Sequence, residues 1–186
     1  KKSTSSLKYR IWNGATLGPE ASLPDFGSGT MYVVRAASDP TSDHIIVASI
    51  DNFGDIHVVV WDGNAWIDWR EVETGASSNI RQAVDVAWES SGDEAFVAWM
   101  ASLVNNVRAL TWRKGSTLAS STVLNGPVIP NPLLIRTLPI STSDRIILLG
   151  SESGPVELRY CLWTGDGFKG DPAILLESSL SSLNNN

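Results

Sequence analysis

The sequence has little cysteine, histidine and methionine, with one, two and two copies in 186 residues. A single cysteine excludes an intrachain disulfide and any cysteine-based zinc cluster. No apolar run reaches the roughly 18 residues of a membrane span. The formal net charge of −6 argues against nucleic-acid binding, because that affinity depends on basic side chains that displace counterions. The sequence therefore predicts no nucleic-acid partner, no membrane span in this chain and no cofactor.

Tryptophan is unusually frequent, with eight copies, and four of them recur about 50 residues apart. The four are Trp12, Trp61, Trp112 and Trp163. A glycine follows each of these tryptophans within three residues. A second marker keeps the same period, and it consists of Asp43, Asp93 and Asp144. Two markers in one register indicate a tandem repeat, and we expect its repeated tryptophans to lie in the core.

Each repeat has the pattern of four short β-strands. The residues five, three and one positions before each tryptophan form one mostly apolar face, as in the alternating segment at 7–11, which is typical of a half-buried strand. The glycine after the tryptophan predicts a tight turn, so a further strand should fold straight back. Upstream, the continuous apolar runs at 45–48 and 146–149 predict strands that are covered on both faces. No segment has a helical period, and the fold class is predicted to be all-β.

The repeat predicts a β-propeller-like array of four-stranded antiparallel blades, about three and a half of them in this chain. One blade cannot bury both of its faces, so neighbouring blades stack. A β-sandwich is the alternative, but it does not explain a period near 50 residues. The predicted units are an outer half-blade at 1–30, blades at 31–81, 82–132 and 133–177, and a polar tail at 178–186.

Three short segments of the sequence resemble segments of bacterial or archaeal extracellular tandem-repeat proteins. They are Lys-Tyr-Arg-Ile-Trp-Asn-Gly at 8–14, Val-Trp-Asp-Gly-Asn-Ala-Trp at 60–66 and Arg-Gln-Ala-Val-Asp-Val-Ala at 81–87. The resemblance covers residues 7–170. It implies a β-propeller at the cell surface, often tethered there, and it implies no particular reaction.

Two classes of function are compatible with these features. The preferred hypothesis is a non-enzymatic scaffold at the cell surface or outside the cell, which acts through protein–protein contacts in a filament or another assembly. A half-blade leaves strand edges unpaired, which predicts other protein chains or a missing part of its own parent chain as partners, in a homo-oligomer or filament. The alternative is a glycan-binding, lectin-like propeller or a fragment of a sialidase-like glycosidase.

Two pairs of residues are candidates for ligand binding. Trp66 and Trp69 lie on either side of a break in the strand pattern, and their rings could stack on sugars. Arg35 and Arg136 occupy equivalent positions in two repeats, where a pair of arginines could bind a carboxylate. Asp85 occupies that position in the repeat between them, so ion pairs between neighbouring blades are the preferred interpretation of both arginines.

Acidic residues and histidines are weaker candidates. Asp51 and Asp55 flank an oxygen-rich segment that lacks the spacing and distal glutamate of an EF-hand, so we expect a polar hairpin turn without a metal. His57 stands at a position that is basic in all four repeats. We therefore expect it on an exposed strand face, and His44 is expected to be exposed as well. No catalytic residue is predicted, and the chain is predicted not to be an enzyme.

Overall fold

A computed structural model describes residues 7–24, 29–76, 83–101, 106–130, 132–152 and 157–178. These residues form fourteen β-strands and a three-residue 3-10 helix at Leu118–Ser120. Within the described ranges, no helix is long and apolar enough to span a membrane. The prediction of an all-β chain is confirmed.

The strands form one hairpin and three antiparallel sheets of four strands each. The N-terminal hairpin consists of β1 (Lys8–Tyr9) and β2 (Ala21–Ser22). The first sheet consists of β3 (Met31–Ser38), β4 (Ile45–Asp51), β5 (Ile56–Trp61) and β6 (Trp66–Glu73). The second consists of β7 (Val84–Trp88), β8 (Glu94–Met100), β9 (Asn106–Arg113) and β10 (Leu124–Val128). The third consists of β11 (Pro132–Pro139), β12 (Ile146–Glu152), β13 (Leu158–Trp163) and β14 (Phe168–Glu177). Strands adjacent in each sheet are also consecutive in the chain.

The turn after the repeated tryptophan of the first sheet shows how the two sequence markers meet. Asp62 Oδ1 accepts hydrogen bonds from the backbone N–H groups of Asn64 and Ala65, at 2.8 and 2.7 Å. Gly63 has a φ of 97°, which glycine adopts without strain. A Cβ atom at Gly63 would lie 2.7 Å from Cβ of Asp43. The tryptophan turn therefore packs against the turn that carries the aspartate marker.

The three sheets stack with their first strands side by side. β3 contacts β7, and β7 contacts β11. The main core cluster takes buried side chains from all three sheets, including Ile46, Phe96 and Ile146. Stacked four-stranded antiparallel sheets are the blades of a β-propeller, which confirms the predicted architecture. The predicted boundary between 81 and 82 and residues 179–186 of the predicted tail lie outside the described residues, and the unit boundaries stay predictions.

The repeated tryptophans differ in their surroundings. Trp112 and Trp163 are buried, as predicted for core residues. Trp61 is half-buried. The core prediction is wrong for Trp12, whose side chain is 59% exposed, because the hairpin that carries it has only two short strands to cover it. The three aspartate markers are exposed, each in the turn between the first and second strands of its sheet.

Candidate functional site

A cleft of about 380 Å³ opens between the N-terminal hairpin and the first sheet. Apolar and aromatic side chains make up most of its walls. The hairpin contributes Tyr9, Arg10, Ile11 and Trp12, and the first sheet contributes Ile45, Val47, Trp61, Gly63 and Trp66. A concave site of this size with few polar groups is typical of small-ligand binding. We call it the aromatic cleft.

Three rings in the aromatic cleft hold one another in place. The ring centroid of Tyr9 lies 5.9 Å from that of Trp61 and 5.3 Å from that of Trp66, and the two indoles are 5.1 Å apart. All three pairs are edge-to-face, which is a favourable geometry for aromatic rings. Nε1 of Trp66 is shielded from solvent and has no hydrogen-bond partner among the described residues. Buried N–H groups are normally paired, so this one is an unsatisfied donor in the wall of the cleft.

Trp66 and Trp69 lie on the same face of the first sheet because of a β-bulge. Trp66 pairs with Trp61 and Trp69 pairs with Val59, and the register shifts between these pairs. Paired residues share a face, and so do residues two apart on one strand. Trp66 lines the aromatic cleft, whereas Trp69 is half-exposed and lies outside its lining. The structure therefore places one of the two predicted tryptophans in the cleft and the other beyond it.

Polar groups lie at one side of the aromatic cleft. A neighbouring depression is lined by Lys8, Tyr9, Arg10 and Glu20, so it shares Tyr9 and Arg10 with the cleft. Arg10 Nη2 lies 3.7 Å from Glu20 Oε2, and both side chains are about half exposed. Lys8 Nζ donates to Ser22 Oγ at 2.5 Å. Exposed donors and a carboxylate at this position can hydrogen-bond to ligand hydroxyl groups.

The two predicted arginines lie outside the aromatic cleft. Arg35 Nε lies 3.5 Å from Asp85 Oδ1, which joins the first and second sheets. Asp85 Oδ2 accepts from the backbone N–H of Thr137 at 2.7 Å and from its hydroxyl at 3.2 Å, which joins the second and third sheets. Arg136 Nη1 donates to the carbonyl oxygen of Ile135 at 2.9 Å. The ion pair predicted between blades is confirmed for Arg35, and a ligand-binding role of either arginine stays a prediction.

The two acidic candidates both accept hydrogen bonds from backbone N–H groups. Asp51 Oδ1 accepts hydrogen bonds from the backbone N–H groups of Phe53 and Asp55, both at 2.9 Å. Asp55 Oδ1 accepts from the N–H of Gly75 at 2.8 Å. The contacts of Asp51 are those of a polar turn, as the sequence predicted, whereas the contact of Asp55 ties this turn to the segment after β6. The residues that the structure describes contain no cluster of three side chains suited to a metal ion.

The exposure predicted for the histidines is wrong for His57, which is buried. Two acidic side chains, one at the end of β4 and one on β6, lie beside the His57 ring. His57 Nε2 lies 3.5 Å from Asp51 Oδ2, and Nδ1 lies 4.0 Å from Glu71 Oε2. His44 is half-buried, with its ring centroid 5.9 Å from that of Trp112.

Of the residues that line the aromatic cleft, only Trp66 was predicted as a ligand-binding group, and four of the others have aromatic or charged side chains. They are Tyr9, Arg10, Trp12 and Trp61. The two tryptophans were assigned to the core because they follow the repeat. A signal was present in the sequence, since the first unit has fewer apolar runs than the others and leaves its tryptophan with less cover.

No protein-family model matches the sequence, and no curated protein matches it. Solved structures match by fold. A BP39L lectin from Burkholderia pseudomallei superposes with a TM-score of 0.60 at 12% identity, over 86% of this chain and 47% of the lectin. The Aleuria aurantia lectin, a six-bladed β-propeller with a novel fucose recognition mode, gives 0.57 at 18% identity, over 97% and 55%. The SapL1 lectin in complex with α-methyl fucoside gives 0.55 at 18% identity, over 96% and 57%. The chain thus spans about half the length of these lectins and has the fold of a partial β-propeller.

Proposed function

We propose that the chain is a carbohydrate-binding, lectin-like domain that holds a sugar in the aromatic cleft. The cleft itself carries the proposal, because it combines indole rings with a buried indole N–H that has no partner among the described residues. The fold likeness to three lectins supports it, and two of these lectins are described with fucose or a fucoside.

The chemistry of the cleft suits a sugar for two reasons. A sugar ring has C–H groups that can pack on an indole face, so Trp12 and Trp61 would exclude water from one side of it. Its hydroxyl groups could accept from Arg10, and from Trp66 Nε1 if the indole turns that N–H toward the cleft, since a buried donor gains most from finding a partner. Trp69, on the same face as Trp66, would contact a ligand that extends out of the cleft.

The scaffold hypothesis receives less support than the lectin hypothesis, because the solved structures of similar fold are lectins. We propose that the protein acts outside the cell or at its surface, where glycans are presented. Protein partners, self-assembly and the absence of catalysis stay predictions.

Calorimetric titration with α-methyl fucoside, fucose, galactose and glucose tests the proposal. We expect saturable binding of at least one sugar. Trp66→Phe keeps an aromatic ring but removes the indole N–H, and it should weaken binding about tenfold, which corresponds to the loss of about 1.4 kcal/mol from one hydrogen bond.

Trp88→Phe is the matched control. Nε1 of Trp88 is also buried without a partner among the described residues, but Trp88 does not line the aromatic cleft. It should leave sugar affinity unchanged. The proposal is wrong if none of the four sugars binds, or if both substitutions weaken binding equally.

A further inference from the structure

Two buried carboxylates occupy the same place in the first and second sheets. Asp39 follows β3 and Glu89 follows β7. The backbone N–H of Asp39 donates to the carbonyl oxygen of His44 at 2.8 Å, and that of Glu89 donates to the carbonyl oxygen of Glu94 at 2.9 Å. The residues are 4% and 3% exposed. Each lies where its sheet meets the next one, so the two positions can be compared directly.

At the first of these junctions the carboxylate has a cation. Lys114 Nζ, in the turn after β9, lies 2.6 Å from Asp39 Oδ2. The backbone N–H and the hydroxyl of Thr41 donate to Asp39 Oδ1 at 2.8 and 2.9 Å, and Ser42 donates to Oδ2. Burial alone would raise the pKa of Asp39, but the bonds from Lys114, Ser42 and Thr41 outweigh it and lower the pKa to about 2. Asp39 is therefore ionised throughout the physiological range.

At the second junction the corresponding cation is missing. Lys114 stands two residues after the repeated Trp112, and the residue two after Trp163 is Gly165. A Cβ atom at Gly165 would lie 3.8 Å from Glu89 Oε1. That oxygen is buried and has no hydrogen-bond partner among the described residues. At the first junction, the second sheet places the ammonium group of Lys114 against the buried carboxylate. At the second junction, the third sheet places Gly165, which has no side chain, near the buried carboxylate.

The charged groups around Glu89 are mostly negative. Glu94 and Asp93 lie on its own hairpin and Asp144 lies in a turn of the third sheet, while Arg113 of β9 is the cation that acts on it. Arg113 is largely exposed, and its Nε donates to Glu94 Oε2 at 2.6 Å. Burial, followed by the charges of Glu94 and Asp144, raises the pKa of Glu89 to about 7 despite Arg113.

We propose that Glu89 makes the junction between the second and third sheets sensitive to pH. The packing of these two sheets is more stable when the Glu89 carboxyl group is protonated than when it is ionised. An acid whose pKa is higher in the folded state than in the unfolded state binds more protons when folded. Stability from this group is therefore complete below the unfolded pKa near 4.5 and falls as the pH rises through about 7. Asp39 gives the junction between the first and second sheets no such dependence in this range, because its carboxylate stays ionised.

Urea denaturation of the 186-residue chain and its Glu89→Gln variant, followed by tryptophan fluorescence from pH 5 to pH 8, tests the proposal. Glutamine keeps the shape of the protonated acid and cannot ionise. The ratio of the unfolding constants, wild type over variant, should rise roughly 70-fold across this range. Asp39→Asn is the matched control, and its ratio should stay constant within about twofold.

Carbon-13 NMR titration of the glutamate carboxyl groups in the wild-type chain gives a second measurement that does not depend on the variant. One glutamate should titrate near pH 7. The proposal is overturned if all glutamates titrate below about pH 6, or if the ratio for Glu89→Gln is as flat as that for Asp39→Asn. If Glu89→Gln does not fold, the NMR titration alone decides. Sugar binding is not involved, so this result is independent of the proposed lectin function.

Discussion

The aromatic cleft and the junction between the second and third sheets each contain tryptophans of the 50-residue repeat, but the surroundings of these tryptophans differ. In the junction, Trp163 is buried, and its ring centroid lies 5.4 Å from that of Phe96 and 5.2 Å from that of Phe168. Its Nε1 donates to Glu94 Oε1 at 3.2 Å. At the cleft, Trp12 is mostly exposed, and the N–H of Trp66 has no partner among the described residues.

The difference shows that the neighbouring unit decides what a repeated residue does. The second and third sheets are both four strands wide, so they cover each other and their aromatic residues become core. The N-terminal hairpin has strands of two residues each and covers only part of the first sheet. Tyr32 and Val34 of β3 remain exposed as a result. The two-stranded hairpin leaves the cleft open to solvent, whereas a four-stranded sheet buries the aromatic residues at the junction.

The largest expected effect is on the tryptophan of the closed junction. Trp163→Ala should lower the free energy of unfolding by about 3–5 kcal/mol, because it leaves a large cavity and an unpaired Glu94 oxygen. Trp12→Ala should cost less than about 1 kcal/mol, since its ring is already exposed. Urea denaturation measures both. Equal losses would contradict the contrast between junction and cleft.

The polar contacts should show the same contrast with a smaller effect. Asp85→Ala removes the contacts to Arg35 and Thr137 and leaves a buried N–H unpaired, so we expect a loss of about 3 kcal/mol in unfolding free energy. Glu20→Ala breaks the exposed pair with Arg10 at the cleft and should cost less than about 0.5 kcal/mol. The comparison fails if the two variants melt at the same urea concentration.

The smallest expected effect concerns the region just outside the aromatic cleft. Trp69→Ala should change stability by less than about 0.5 kcal/mol, because the side chain is half-exposed on an edge strand. It should weaken sugar binding about twofold, less than Trp66→Phe, because its ring would touch only the outer part of a ligand. Calorimetry with the sugar that binds best measures the loss. A greater loss than that of Trp66→Phe would move the centre of the site from the cleft to Trp69.

Much of the fold could be predicted because strand patterns are local. The apolar runs at 45–48 and 146–149 lie within β4 and β12. The apolar face predicted from Ile56, Val58 and Val60 lies within β5, whose residues pair with both neighbouring strands. Burial was harder to predict, since alternation indicates which residues share a face but not whether another element covers that face. His57 is the clearest example, because its position in the repeat is basic and yet its ring is buried beside Asp51 and Glu71.

The site could be predicted only in part. The pattern break between Trp66 and Trp69 was visible in the sequence, and it is the bulge that places both rings on one face. The opposing wall of the cleft was not visible, because Tyr9 and Trp12 reach it from a separate hairpin. Arg35 was correctly paired with Asp85 because both follow the same repeat register.

The sequence by itself determined the period near 50 residues, the strands within each unit and the turns between them, because these depend on neighbours in the chain. The tertiary structure decided which tryptophans are core and which line a cleft, and which buried carboxylate meets a lysine and which meets a glycine. The burial of each tryptophan and the partner of each carboxylate depend on which unit packs beside it. The local sequence pattern contains no information about that packing.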